Sequence, residues 1–241
     1  MKVYAIGDLH LSFKDFVNPY IWDKVEEYKS MSIFGDNWNE HYKKLYYNWN
    51  EVVSNNDVIL IPGDISWATT LEELKPDLAF IDMLPGEKVF IRGNHDYWWQ
   101  SINKLRGIFP DNTYLIQNDS LKFGSLAIAG SRGWITPNEY QFSEHDYKIF
   151  KREIIRLELS LKSIKNADKI LVMMHYMPVN DSHQYNELIE LMQDYNVDIC
   201  IYGHLHDQES HKNRLNGEKW GIEFQLVSAD FLDFSPLEIV I

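Results

Sequence analysis

The sequence predicts an α/β domain, on three observations. Short apolar, β-branched runs recur along the chain, segments of helical periodicity separate them, and five runs lead directly into Asp, Asn or His. Runs that are apolar throughout, rather than alternating, suit strands covered on both faces. Strands alternating with helices suit a sheet with helices packed on it.

In chain order, Val3–Ile6 is the first strand. The long segment from Leu11 to Asn56 then reads as mainly helical. Within it Trp38, Tyr42, Leu45, Trp49 and Val52 step by three or four, and Asn37 with Glu40 predicts a cap at its start. Val58–Pro62 and Val89–Arg92 are the next strands. Trp98, Ile102, Leu105 and Phe109 repeat at helical spacing, which places Trp98 in the core and turns Trp99 about 100° away. Leu126–Ala129 follows as a strand. A helix from Glu144 to about Ser163 carries the stripe Tyr147, Phe150, Ile154, Leu157, Leu161. Ile170–Met174 and Ile199–Tyr202 are strands on either side of a helix marked by Leu188, Leu191 and Tyr195. Asn216-Gly217 predicts a hairpin turn, and Phe224–Val227 and Leu237–Ile241 close the chain. There is no repeat, low-complexity tract or linker, so one domain over residues 1–241 is expected. The stretch from Asp207 onward carries no catalytic signal.

Composition narrows the function. A chain of 241 residues, 45% hydrophobic and 24% charged, can bury a substantial core. Its net charge of −13 repels nucleic-acid backbones and anionic membranes, so neither is an expected partner. Bound cations can override that field locally and draw in a small phosphate. The lone Cys200 sits in an apolar run, which suits packing in a reducing compartment. The first residues lack a signal-peptide pattern. No apolar run approaches the ~18 residues that span a bilayer, so a cytoplasmic location is expected.

The chemistry lies at the strand ends. After the first strand come Asp8 and His10; after the second, Gly63 and Asp64; after the third, Gly93-Asn94-His95-Asp96. His175 follows Met174, and Gly203-His204-Leu205-His206 follows Tyr202. In open α/β sheets, sites form at the carboxyl ends of strands. Carboxylate, carboxamide and imidazole without thiolate suit divalent Mn, Fe or Zn. In extended backbone Asp8 and His10, and likewise His204 and His206, would face one side. Each glycine permits a sharp turn close to the ions.

These motifs, in order and over residues 7 to 206, resemble the calcineurin-like metallophosphoesterases. The resemblance implies an αββα sandwich of two mixed sheets flanked by helices, with two divalent ions as cofactors. Asp8, His10 and His206 would hold the first ion, Asn94, His175 and His204 the second, and Asp64 would bridge them. It further implies attack on a small phosphate ester by a hydroxide shared between the ions. His95 would be the general acid and Asp96 the carboxylate that orients it.

Other residues take lesser roles. His41, His145 and His211 read as surface residues, and His183 lies within reach of the site only through its loop. Arg132, in a glycine-flanked loop, is the candidate substrate contact, and Arg92 the structural arginine in a salt bridge. Trp67 and Trp134 are candidates for an aromatic wall able to stack a base. After Gly63-Asp64 the chain lacks the Asp-Arg-Gly of protein Ser/Thr phosphatases. That disfavours a protein substrate. The motif set is also similar to that of small bacterial phosphodiesterases, a resemblance that implies a small phosphodiester or nucleotide-like substrate, with a phosphomonoester as the alternative. A metal-binding scaffold without catalysis is the reading from another class, and a structural metal site is weaker because such sites close their coordination shell.

Overall fold

The structure, a computed structural model, describes residues 1–22, 24–138 and 142–241. Its elements in chain order are β1 (Val3–Ala5), α1 (His41–Val52), β2 (Val58–Ile61), α2 (Leu71–Asp82), β3 (Glu87–Phe90), α3 (Ile102–Arg106), β4 (Thr113–Leu115), β5 (Leu121–Phe123) and β6 (Leu126–Ser131). There follow α4 (Glu144–Lys162), β7 (Lys169–Met174), α5 (Glu187–Asp194), β8 (Ile199–Tyr202), α6 (Gln208–Lys212), β9 (Gly217–Lys219), β10 (Ile222–Leu226) and β11 (Leu237–Ile239).

The strands form two mixed sheets. One has the order β11-β1-β2-β3-β4, with β11 antiparallel to β1 and the rest parallel. The other runs β5-β6-β7-β8-β10-β9, parallel at its centre and antiparallel at both edges. Alternation along each strand explains the layers. Val3 and Ala5, Val58 and Leu60, Leu171 and Met173 share one buried cluster between the sheets. Their neighbours Tyr4, Ile59 and Ile61 pack with Trp49 of α1 and Phe80 of α2. Val172 and Met174 pack with Leu157 of α4 and Leu188 of α5. The result is the expected helix–sheet–sheet–helix sandwich, and the unbroken apolar runs are its doubly covered strands. Among the described residues no helix is long and apolar enough to cross a membrane.

Several local expectations are corrected. The segment between β1 and α1 is mostly irregular, with short 3-10 turns at Met31–Phe34 and Asp36–Trp38. Glu40, not Asn37, precedes α1; it is left-handed at φ 48° and no side chain caps the helix. The apolar packing of Trp38, Tyr42, Leu45 and Trp49 therefore holds α1 in place rather than its first turn. The β9–β10 hairpin turns at Trp220-Gly221, with φ of 56° and 78°, and not at Asn216-Gly217. Two consecutive positive φ values make the primed turn that matches strand twist. Trp98 and Trp99 precede α3 instead of opening it, and both are buried against each other. Thr70 and Glu73 form a reciprocal capping box at the start of α2.

Candidate metal centre

The five motif loops meet at the carboxyl ends of β1, β2, β3, β7 and β8. The chain does not remain extended there. Asp8, His10, Asp64 and His204 all have positive φ, of 59°, 46°, 50° and 73°. The shared side of Asp8 and His10 thus comes from a left-handed turn, which corrects the extended-strand expectation. Each such residue stores strain of about 1–3 kcal/mol, which surrounding bonds must hold. Those bonds are present: Asp8 N–H donates to Gly63 O at 3.0 Å and His10 N–H to Asp64 O at 3.0 Å. His204 N–H donates to Asp8 Oδ2 at 2.9 Å. A Cβ on Gly203 would collide with that same Asp8 oxygen, and one on Gly93 with Asp64 Oδ1.

Two donor groups result. In the first, His10 Nε2 lies 3.2 Å from His206 Nε2, and His206 Nε2 lies 3.6 Å from Asp8 Oδ1. In the second, His175 Nε2 lies 2.6 Å from Asn94 Oδ1, 3.2 Å from His204 Nδ1 and 3.4 Å from Asp64 Oδ2. Asp64 Oδ2 is also 3.8 Å from His10 Nε2, so it stands between the groups. The structure brings together all seven residues expected to hold metal.

The chemistry of these donors fits divalent cations. Asp8 Oδ1 is buried without a hydrogen-bond donor. Burial pushes His10 well below its usual pKa, lowers His175, and takes His204 down to about 3 with His175 adding to the shift. These rings are therefore neutral and able to ligate. His206 is the exception: burial opposes its charge, but Asp8 and Asp230 raise it to about 10. Burial would raise the Asp8 carboxyl, yet the imidazoles, His206 foremost, hold it well below its usual range. A proton on His206 thus balances carboxylates that an ion would otherwise balance. Burial and then Asp8 raise Asp64 to about 7, the behaviour of two carboxylates sharing one site.

Ring orientation is set from outside the groups. His175 Nδ1 faces Pro62 O at 3.0 Å, and His206 Nδ1 faces Asp230 Oδ1 at 2.9 Å, which turns Nε2 inward in each. Asp230 comes from the C-terminal stretch expected to be silent, which is a correction. It lies four residues past the end of β10, and the bridge between Gly7 and Ser228 sets that loop beside Asp8. Position after a strand was the signal that could have found it. Asp230→Asn is expected to weaken metal binding by about 10–100-fold while the protein stays folded. Metal titration followed by emission of the metal-site tryptophans measures it.

Asp96 does not orient His95. Its oxygens accept from the N–H groups of Gly93, Asp64, Ile65 and Ser66 and from Trp98 Nε1, and none of its hydrogen bonds goes to the His95 ring. Burial and Asp64 push its carboxyl up to about 7, against donors that all favour the ionised form. The carboxylate is a buried knot that holds the β2 and β3 loops together. The His95 ring instead lies against Trp67, centroids 4.2 Å apart, with Nδ1 3.4 Å from the Tyr97 hydroxyl. It is half-buried. Burial, then Lys29 and the imidazoles of His175 and His206, lower it to about 4.

Rings wall the centre. Trp67 stacks on His10 at 5.0 Å, and Trp38 meets His10 and His206 edge-on. Tyr176 lies 4.0 Å from His204, and Trp134 stands one ring further out against Tyr176. The Lys29 ammonium sits 3.0 Å over Trp67. The Leu11–Asn56 segment thus supplies Trp38 and Lys29 to one flank, though no pattern in it predicted either. His41 is buried with Nε2 3.0 Å from Leu9 O, which corrects its surface placement. His183 pairs with Asn213 O and His211 with Leu205 O, both outside the two groups, and His145 is exposed. Arg132 also stays outside: its side chain reaches toward Glu153 and Trp134, while its carbonyl accepts the N–H groups of His175 and Tyr176.

Paired cages of oxygen and imidazole donors at strand ends, in a two-sheet α/β sandwich, define a metal-binding phosphoesterase architecture. The chain belongs to the calcineurin-like phosphoesterases, whose family model matches residues 1–208. It is 32% identical over 182 residues to the uncharacterized protein MJ1445 of Methanocaldococcus jannaschii, covering 71% of this chain and 89% of that protein. Among solved structures it resembles the phosphopantetheinyl hydrolase PptH of Mycobacterium tuberculosis, with a TM-score of 0.54 and 11% identity over 99% of this chain and 95% of that one. A protein of unknown function from Aquifex aeolicus, AQ665, matches with a TM-score of 0.49 and 18% identity over 98% and 95%.

Proposed function

We propose that the chain is a dinuclear metal-dependent phosphohydrolase acting on a small phosphodiester or nucleotide-like ester. The observation that carries this reading is Asp64 Oδ2, placed within 3.8 Å of a ring nitrogen from each donor group. Asp8, His10 and His206 would hold one ion, Asn94, His175 and His204 the other, with Asp64 shared. Ions held there, Mn, Fe or Zn by donor type, would polarise the phosphoryl oxygens and bring the pKa of an attacking water toward neutrality.

The protein's own groups supply the rest. Trp67 fixes the plane of the His95 ring, and the contact to Tyr97 at Nδ1 leaves Nε2 to carry a proton to the leaving oxygen. As general acid the ring must hold its proton when substrate is bound, and a phosphate anion beside it would favour the protonated form. Trp67 lies against His10 and His95, and Tyr176 against His204, so an aromatic ring flanks each donor group. The Lys29 ammonium adds positive charge on the same flank as His95. A half-buried imidazole beside the donor groups that belongs to neither favours an enzyme over a scaffold.

The test is a Mn-supplemented assay on a chromogenic monoester and the matching diester, with metal analysis of the same sample. Hydrolysis is expected, with the diester preferred; metal bound without hydrolysis of either ester would show a scaffold. Asp64→Asn is expected to lose bound metal and activity together. Full activity with a normal metal complement would remove the shared-carboxylate assignment.

A further inference from the structure

Beside the metal centre lies a cleft of about 280 Å³ whose lining includes Arg92, Arg132, Arg156, Glu153, Gln117 and Trp99. Its ionisable lining carries an excess of two positive charges, in a protein of net charge −13. The single carboxylate is already committed. Glu153 Oε1 takes Arg156 Nη1 at 2.7 Å and stands 3.6 Å from Arg132 Nη2, while Oε2 accepts from Ser131 Oγ at 2.9 Å. Arg92, expected in a salt bridge, makes no hydrogen bond or ion pair with any described residue, and its Nε is buried without a partner. The Nε of Arg132 is in the same condition. Burial pushes the Arg132 guanidinium down, and Arg92 and Arg156 push the same way against Glu153.

Like charges are gathered in this way where an anion completes the set. Three guanidinium forks against one spent carboxylate match a phosphate dianion in charge, and each fork presents paired donors to its oxygens. Trp99 Nε1 donates to Gln117 Oε1 at 2.8 Å, which turns the Gln117 amide NH₂ away from the indole. The cleft shares backbone with the metal centre. Arg92 stands two residues before Asn94, so their Cα atoms are at most about 7 Å apart. The Arg132 carbonyl holds the N–H of His175 at 3.1 Å.

We propose that this cleft binds a phosphate group, and that the substrate carries a second phosphate remote from the scissile ester. The second clause rests on the phosphohydrolase reading above; the first does not. The substrate class is then a small molecule phosphorylated at two positions, with one phosphate over the Asp64 side and the other on Arg92, Arg132 and Arg156.

Two measurements on the full chain test it. After chelator treatment, inorganic phosphate is titrated by ³¹P line broadening into wild type, Arg92→Gln and Arg156→Gln. Saturable binding to wild type is expected, weakened roughly tenfold or more in Arg92→Gln. Since Arg92 bonds to no described residue, that variant is expected to fold, and Arg156→Gln gives an independent reading. Binding that is absent, or equal in all three proteins, overturns the site. With metal restored, Arg92→Gln is expected to raise KM for adenosine 3′,5′-bisphosphate far more than for a singly phosphorylated chromogenic ester. An equal rise for both overturns the second-phosphate assignment. Should wild type hydrolyse neither, the phosphohydrolase reading fails, while the phosphate titration still judges the cleft.

Discussion

Asp96→Ala is expected to lower folding stability by about 3–5 kcal/mol, read as a lower urea midpoint at an unchanged m-value. The size follows from what the carboxylate holds. It accepts from Gly93 N at 2.7 Å, Asp64 N at 3.0 Å, Ile65 N at 2.9 Å, Ser66 N at 3.3 Å and Trp98 Nε1 at 3.1 Å. Each buried donor left unmade costs about 1–3 kcal/mol, and water entering the space recovers part of that. The loop it ties includes the left-handed Asp64, so its loss also removes the bonds that hold Asp64 in that strained conformation. Asp96→Asn keeps the volume but turns an NH₂ toward donors, and an intermediate loss is expected. A variant with normal stability and only a reduced kcat would instead restore the catalytic role that the motif suggested.

That exchange of roles shows where reading a sequence works here and where it stops. Asp8, Asp64, Asn94, His175 and His204 were legible because each follows an apolar run, and strand ends in such a sandwich converge. The doubly covered strands were legible for the same reason of pattern. Asp96 was misread because its neighbour in sequence, His95, is not its partner in space: a tight turn sends the two side chains apart. The left-handed conformations of Asp8 and His10 were hidden, since only glycine announces positive φ. Strands β4 and β5, of three residues each, are too short to show a period. Lys29 and the Arg92–Arg132–Arg156 cleft depend on distant segments meeting, the cleft through β3, β6 and α4, and no local spacing encodes such a meeting. Thr70-x-x-Glu73 is different: its capping box stood in the sequence and marks the start of α2.

His95→Asn is expected to cut kcat by roughly 10²–10⁴-fold with bound metal unchanged. Retention of metal follows from geometry. His95 touches the donor groups through its backbone, N–H to Asp64 Oδ1 at 2.8 Å, and asparagine keeps that bond. What is lost is a ring packed against Trp67 and, under the proposed mechanism, the proton it would hand over. The leaving group sharpens the test. A nitrophenolate departs without a proton, whereas an alkoxide needs one, so the deficit should be far larger for an alkyl or ribosyl ester than for a nitrophenyl ester. A general acid is the role that predicts that difference. Equal losses on both esters would mean that His95 acts on the phosphoryl group itself, and release of metal would mean that its ring, not only its backbone, secures the centre.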